Sequence, residues 1–246
     1  MLNEHKLLIF DIDGTLTDSG GLTRVALEKA AFDFYGVERT TAGIAAWGQT
    51  DLNIFQLMVE NNNLPVDDVE AAFGPFSERY TKYLEDLIYA SPRPRLHNGI
   101  RDLLERLVTL PDMCLAIGTG NIEPTGRMKL KRHSVEHLFP IGGFGSDSSD
   151  RATLLLRALD RGREHYGHPF DQGYYWVIGD TPNDIESGRK IGAKTVGVCT
   201  GTYKAEELAG HNPDAIFPDL TDIDRFIALV RGHVDLNDGN RPSILR

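Results

Sequence analysis

Leu7-Leu8-Ile9-Phe10-Asp11-Ile12-Asp13-Gly14-Thr15 is the stretch that decides the fold. Four consecutive apolar residues read as a buried strand. The run ends on two carboxylates one residue apart, which share a face while the chain stays extended. Gly14 then permits a sharp turn that exposes backbone N–H groups. Two carboxylates aimed at one place repel unless a proton or a cation separates them. The pattern therefore asks for a nucleophile and an acid/base around a hard metal such as Mg²⁺. A surface turn competes with this reading, because Asp and Gly are turn formers. A calcium loop also begins Asp-X-Asp, but its twelfth position needs a Glu, and counting from Asp11 that position is Leu22.

Four later apolar runs resemble the first. They are Cys114–Ile117, Pro140–Phe144, Tyr174–Ile178 and Thr195–Val198, each followed by a polar, Gly-containing turn. Helical patterns lie between them, at Ile100–Leu110, Pro124–Phe139, Arg151–Tyr166 and Asn183–Gly192. Alternating short strands and amphipathic helices predict an α/β fold, a three-layer Rossmann-like parallel sheet with helices on both faces. In such sheets ligands gather at the carboxyl ends of the strands.

The first strand does not return at once to the sheet. Residues 18–91 read as an all-helical insertion, with helices at Leu22–Tyr35, Leu52–Glu60 (Asp51 its N-cap) and Val69–Tyr89. Ser19-Gly20-Gly21 and Ser91-Pro92-Arg93-Pro94 bracket it as hinges. The expected organisation is a core from residues 1–17 and 92–234, a helical cap at 18–91 and a polar tail at 235–246.

Bulk properties narrow the function. The chain has 246 residues, 41% of them hydrophobic and 25% charged, which suits a globular protein with a sizeable core. A formal net charge of −10, with no Lys/Arg run that dominates, argues against nucleic acid as a partner. No segment approaches a membrane span, and the amino end is not a targeting peptide. Cys114 and Cys199 fit free thiols in a reducing cytoplasm. The expected state is a cytoplasmic monomer or homodimer acting on a small metabolite.

A second acidic signature, Gly179-Asp180-Thr181-Pro182-Asn183-Asp184, follows the apolar run that ends at Ile178. Asp180 and Asp184 can join Asp11 and Asp13 around one ion, and four such acids demand a divalent cation. Thr119, Gly120 and Asn121 offer a hydroxyl and N–H groups at a helix start suited to an anion. Arg151 opens a helix just after the third apolar run and can offset phosphoryl charge. Lys129, inside Arg127-Met128-Lys129-Leu130-Lys131-Arg132, is a weaker candidate for that role and reads more as part of a solvated face.

Taken together, these residues resemble the haloacid dehalogenase superfamily of phosphohydrolases over Lys6 to Val198. Asp11-Ile12-Asp13-Gly14-Thr15, Thr119, Arg151 and Gly179-Asp180 through Asp184 are similar to its four motifs, in order. The insertion is similar to the helical cap class. Trp47-Gly48-Gln49-Thr50-Asp51 falls where phosphoglycolate phosphatase-like members carry a Gly-basic-Thr-Asp element, with Gln49 in place of the basic residue. The third motif carries Arg151 where many members have Lys.

The resemblance implies a Mg²⁺-dependent phosphatase for a small phosphorylated metabolite. Asp11 would be the nucleophile and Asp13 the acid/base. The metal would be held by Asp11, the Asp13 carbonyl and Asp180, with Asp184 orienting ligands. Thr119, Arg151, and the Gly14 and Gly120 N–H groups would neutralise the phosphoryl oxygens, with Thr15 and Asn121 beside them. Gln49 and Thr50 would face the substrate from the cap. A sugar-phosphate mutase shares the motifs and cap. A dehalogenase lacks the second aspartate, and a non-enzymatic phospho-receiver has neither the cap nor this strand order.

Overall fold

A computed structural model describes residues 5–233. The tail at 235–246 lies outside them. In chain order the elements are β1 (Lys6–Phe10), β2 (Thr17–Asp18), α1 (Leu22–Tyr35), α2 (Asp51–Asn62), α3 (Val69–Ala90), β3 (Arg95–Leu96), α4 (Ile100–Leu107) and β4 (Met113–Gly118). There follow α5 (Glu123–Lys131), a 3₁₀ turn at Glu136–Leu138, β5 (Ile141–Gly143), α6 (Arg151–Tyr166), β6 (Tyr175–Gly179), α7 (Pro182–Lys190), β7 (Lys194–Val198), α8 (Ala205–Ala209), β8 (Ala215–Phe217) and α9 (Ile223–Val230).

Six strands form one parallel sheet in the order β5-β4-β1-β6-β7-β8. The chain runs outward from β1 through β4 to β5, then returns to β6 on the other side of β1. This reversal is the topological switch point at which such sheets bind ligands. Register brings the functional turns together. Phe10 pairs with Ile117 on one side and Ile178 on the other. Asp11, Gly118 and Gly179 therefore leave the sheet at one level, and the Asp11 N–H still reaches the Ile178 carbonyl at 2.9 Å.

Strand β1 is apolar on both faces because both are covered. Leu8 and Phe10 pack in the cluster built from α4 and α9, and Leu7 and Ile9 pack in the one built from α6. Each of these fully buried side chains stabilises the fold by about 1.5–3 kcal/mol relative to exposure.

Helices α1, α2 and α3 form a separate apolar cluster around Leu27, Phe55, Phe76, Tyr80 and Leu84. The Phe55 and Phe76 rings lie 4.4 Å apart. The two connections to the sheet run side by side as the antiparallel pair β2–β3. The helical layer is also docked on the core: Ile122 belongs to its cluster and Met128 packs against it. Arg132 donates to the Ile88 carbonyl at 3.0 Å, tying the end of α3 to the region just after α5.

Several elements differ from expectation. Strand β8, helices α8 and α9 and the β2–β3 pair have no counterpart in the periodicity analysis, because they are short. The helix expected over Pro124–Phe139 stops at Lys131, where Ser134 takes a positive φ of 59°. Thr50, not Asp51, is the N-cap of α2, accepting the Asn53 N–H at 3.3 Å. No helix among the described residues is long and apolar enough to cross a membrane.

Candidate active site

The carboxyl ends of β1, β4 and β6 converge beneath the helical layer. A cavity of about 330 Å³ lies between them, lined from the core by Asp11, Asp13, Thr119, Asn121 and Arg151 and from the cap by Trp47 and Gln49.

Three acids cluster at its floor. Carboxylate oxygens of Asp11, Asp180 and Asp184 all lie within 4.8 Å of one another, and all three residues are buried. Arg151 lies among them. Its guanidinium is 3.0 Å from Asp11 Oδ1 and donates through Nε to Asp184 Oδ1 at 3.0 Å. Burial pushes the Asp11 carboxyl up to about 7, with Arg151 opposing and Asp184 and Asp13 adding to the rise. Asp180 is raised well above the usual carboxylate range by burial, then by Asp184 and Asp11. Burial lowers Arg151, but its two carboxylate neighbours outweigh that and hold it charged.

This donor set fits a hard divalent cation. Three carboxylates against one guanidinium leave two negative charges, which one such cation offsets. Asp180 Oδ2 is buried with no hydrogen-bond partner, an orphan acceptor beside the Gly14 and Gly201 backbones, while Thr15 Oγ1 donates to its other oxygen at 3.1 Å. Asp184 is already committed, through Oδ1 to Arg151 and through Oδ2 to the N–H and hydroxyl of Thr181. It is placed to orient Arg151 more than to offer a free oxygen.

Asp13 is set apart, although the sequence pattern aims four acids at one ion. Its Oδ2 accepts from Lys129 Nζ at 2.6 Å and from Asn121 Nδ2 at 2.7 Å. Lys129 is 1% exposed, so it is not the solvated lysine the basic run suggests. It lies on the buried stripe of α5 with Thr125, Gly126 and Leu130. That spacing from Thr125 was the one available signal in the sequence.

Gly14 serves through its shape. Its φ is +83°, a Cβ there would meet Asp180 Oδ2 at 2.3 Å, and its N–H is taken by the Thr17 carbonyl at 2.8 Å. The expected donation of that N–H to phosphate is therefore not available. Gly120 marks a close approach of cap and core: a Cβ would meet the Gln49 carbonyl at 2.2 Å. Thr119 is fully buried, and its hydroxyl accepts from Asn121 Nδ2 at 2.8 Å.

On the cap side Gln49 lines the cavity, whereas Thr50 is 1% exposed and occupied in capping α2. The Gly48 carbonyl accepts from Asn183 Nδ2 at 3.0 Å and Arg151 Nη1 at 3.4 Å, so the loop rests on the floor residues. Residues not anticipated also line the cavity: Thr17, Thr23, Arg24 and the Thr200–Thr202 turn. His97 lines it too, but Arg95 turns outward to Asp18.

The HAD-hydrolase-like family model matches residues 152–223. Over 233 residues the chain is 25% identical to a phosphoglycolate phosphatase of Mannheimia succiniciproducens, covering 91% of this chain and 98% of that one. A solved structure of a predicted phosphoglycolate phosphatase from Haemophilus somnus matches with a TM-score of 0.68 at 20% identity, over 92% of this chain and all (100%) of that one. A protein assigned as a β-phosphoglucomutase from Bacteroides vulgatus matches with a TM-score of 0.67 at 18% identity, over 94% and 90% of the two chains.

The parallel sheet with its helical cap and the family-model match over residues 152–223 support a hydrolase of the haloacid dehalogenase type. The relatives that it matches along most of its length are phosphoglycolate phosphatases, and together these likenesses support a phosphoric monoester hydrolase.

Proposed function

We propose that the protein is a Mg²⁺-dependent phosphatase that hydrolyses a small phosphomonoester through an aspartyl-phosphate on Asp11. The observation that carries this reading is the division of labour between the two β1 acids. Asp11 sits with Arg151 in the acid cluster, while Asp13, which lines the same cavity, is held 2.6 Å from Lys129. In this reading one attacks and the other exchanges a proton.

In this reading a carboxylate oxygen of Asp11 forms a bond to phosphorus as the bond to the leaving alkoxide breaks. Asp13 supplies the proton that makes the alkoxide an alcohol. Asp13 then takes a proton from water, whose oxygen attacks the phosphoryl group and frees Asp11 and inorganic phosphate. Arg151, the Thr119 hydroxyl and the Gly120 N–H neutralise phosphoryl oxygens. Asp11, Asp180 and the Asp13 carbonyl would hold Mg²⁺, with Asp184 orienting Arg151 beside it; the ion would supply positive charge to the attacking carboxylate and the phosphoryl oxygens. Residues 18–91 act as the cap and residues 1–17 with 92–234 as the catalytic core; the docked cap excludes water.

The leaving group faces polar atoms. Thr17 Oγ1 and His97 Nε2 are buried without a partner, and both residues line the cavity. Substrates with hydroxyl or anionic substituents suit such a wall.

Phosphate release from a panel of small phosphomonoesters, with and without Mg²⁺, tests the reading. Hydroxylamine trapping of an acyl-phosphate, absent in Asp11→Asn, tests the intermediate. A mutase of the β-phosphoglucomutase type is the second reading, favoured by the fold match to a protein of that assignment. Transfer of the phosphoryl group between positions of one sugar, with no phosphate released, would establish it instead.

A further inference from the structure

The lysine on α5 and the cap aspartate at the start of α2 are joined through one helix. Lys129 Nζ donates to Asp13 Oδ2 at 2.6 Å and to Asn121 Oδ1 at 2.6 Å. Asn121 in turn donates through Nδ2 to the same Asp13 oxygen and to the Thr119 hydroxyl. Both donors thus converge on Oδ2, and among the described residues no hydrogen bond is made to Asp13 Oδ1. Asp51 grips the start of the same helix. Its Oδ2 accepts the Ile122 N–H at 2.9 Å and the Thr125 hydroxyl at 3.4 Å, one turn before Lys129.

We propose that Lys129 is a positioning residue for the phosphatase reaction: with Asn121 it fixes the Asp13 carboxyl so that Oδ1 faces the leaving-group oxygen, and Asp51 ties this arrangement to cap docking through α5. The inference rests on the phosphatase reading above. A buried ammonium costs stability unless it is paired, so it needs a compensating role. Here its pairing restricts the rotation of the one side chain that must meet the leaving group. Asp13 exposes 31% of its side chain, and without Lys129 only Asn121 would restrain it. Helix α5 carries the effect of the cap, because Asp51 and Lys129 hold its first and second turns.

The leaving group provides the test. A misplaced proton donor slows esters whose alcohol leaves poorly and spares esters whose anion leaves unaided. A merely structural lesion slows both alike. Lys129→Met should lower kcat for an alkyl phosphate about 10²–10⁴-fold, the usual worth of general acid catalysis, and lower it less than about tenfold for 4-nitrophenyl phosphate. KM for each should stay within about threefold. In an Asp13→Asn background, Lys129→Met should add less than about threefold, since the lysine acts through that carboxyl. Asp51→Ala should show the same selectivity between the two esters, in smaller degree. Should Lys129→Met fail to fold, Lys129→Gln is read by the same ratio.

Equal losses on both esters, no loss on either, or a further hundredfold loss in the Asp13→Asn background would each overturn the proposal. Wild-type enzyme that releases phosphate from neither ester would overturn the phosphatase reading and this inference with it. An active wild type with equal losses in the variant would overturn this inference alone.

Discussion

The Asp51 carboxylate of the cap accepts the backbone N–H of Ile122 in the core at 2.9 Å, while the Asp51 N–H donates to the Gly120 carbonyl, also at 2.9 Å. One cap residue thus makes a two-point seam with the turn that follows β4. Asp51 is 3% exposed, and it joins cap and core where the chemistry is proposed to occur.

That seam predicts a pH effect on stability. Burial pushes the Asp51 carboxyl up to about 6, with Lys129, the Ile122 N–H and the Thr125 hydroxyl opposing and Asp13 adding to the rise. The fully buried Tyr80 is the other titratable group close to it. A carboxyl whose folded pKa exceeds its unfolded value contributes stability that is present below the unfolded value, and this is lost as pH climbs through about 6. The rise corresponds to on the order of 3 kcal/mol. Asp51→Asn should therefore gain stability relative to wild type between about pH 4 and pH 7. Denaturant midpoints of both proteins across that range measure the difference. A constant difference would contradict the prediction.

Metal binding should be visible without turnover. Mg²⁺ at a hundredfold excess over its Kd should stabilise the wild type by about 2.7 kcal/mol. Asp180→Ala, which removes the orphan Oδ2, should lose most of that gain while keeping its fold. Thermal melts with Mg²⁺ and with a chelator read this directly. Chelation should also abolish phosphate release, and Ca²⁺ should restore it poorly because its looser coordination disturbs in-line geometry.

The two β1 acids should separate kinetically. Asp11→Asn should abolish turnover of every ester. Asp13→Asn should slow alkyl esters by roughly 10²–10⁴. Steady-state rates on the purified variants, with circular dichroism to confirm folding, decide the matter. Wild-type rates in Asp11→Asn would end the covalent mechanism.

Specificity should divide between two cavity residues of the cap. Arg24 lines the cavity, donates to the Thr41 carbonyl at 3.3 Å, and forms no ion pair among the described residues. Arg24→Ala should raise KM by about 10-fold or more for esters with a second anionic group, the scale of one charged hydrogen bond, and change neutral polyol esters little. Gln49→Ala should reorder hydroxylated substrates. Thr50→Ala should instead cost about 1 kcal/mol of stability through loss of the α2 cap, with the substrate ranking unchanged. Uniform changes across substrates for Arg24 and Gln49 would refute the assignment.

Periodicity and turn chemistry alone made much of the fold legible. A buried apolar run ending on Asp11 and Asp13 reads as a strand that delivers two acids to a turn, and Ile178-Gly179-Asp180 repeats the logic. Elements too short to show a period, such as Thr17–Asp18 and Ala215–Phe217, escaped notice because their pairing is defined only by a neighbouring strand. The N-cap of α2 is Thr50, one residue before Asp51; both are good caps by residue type, and only geometry shows that the Asp51 carboxylate is engaged elsewhere.

The sequence by itself determined which carboxylates would stand at strand ends, because side-chain alternation and the glycine after them are local properties. It could not say which charges would meet. Lys129 belongs to a basic run that looks solvated, yet it is 116 residues from Asp13 in sequence and 2.6 Å from it in space. Arg151 reaches Asp184 across 33 residues. Only the packing of α5 beneath the cap and of α6 against the sheet sets those separations, and with them the charge balance of the site, because electrostatic pairing depends on distance and burial and neither is written in local order.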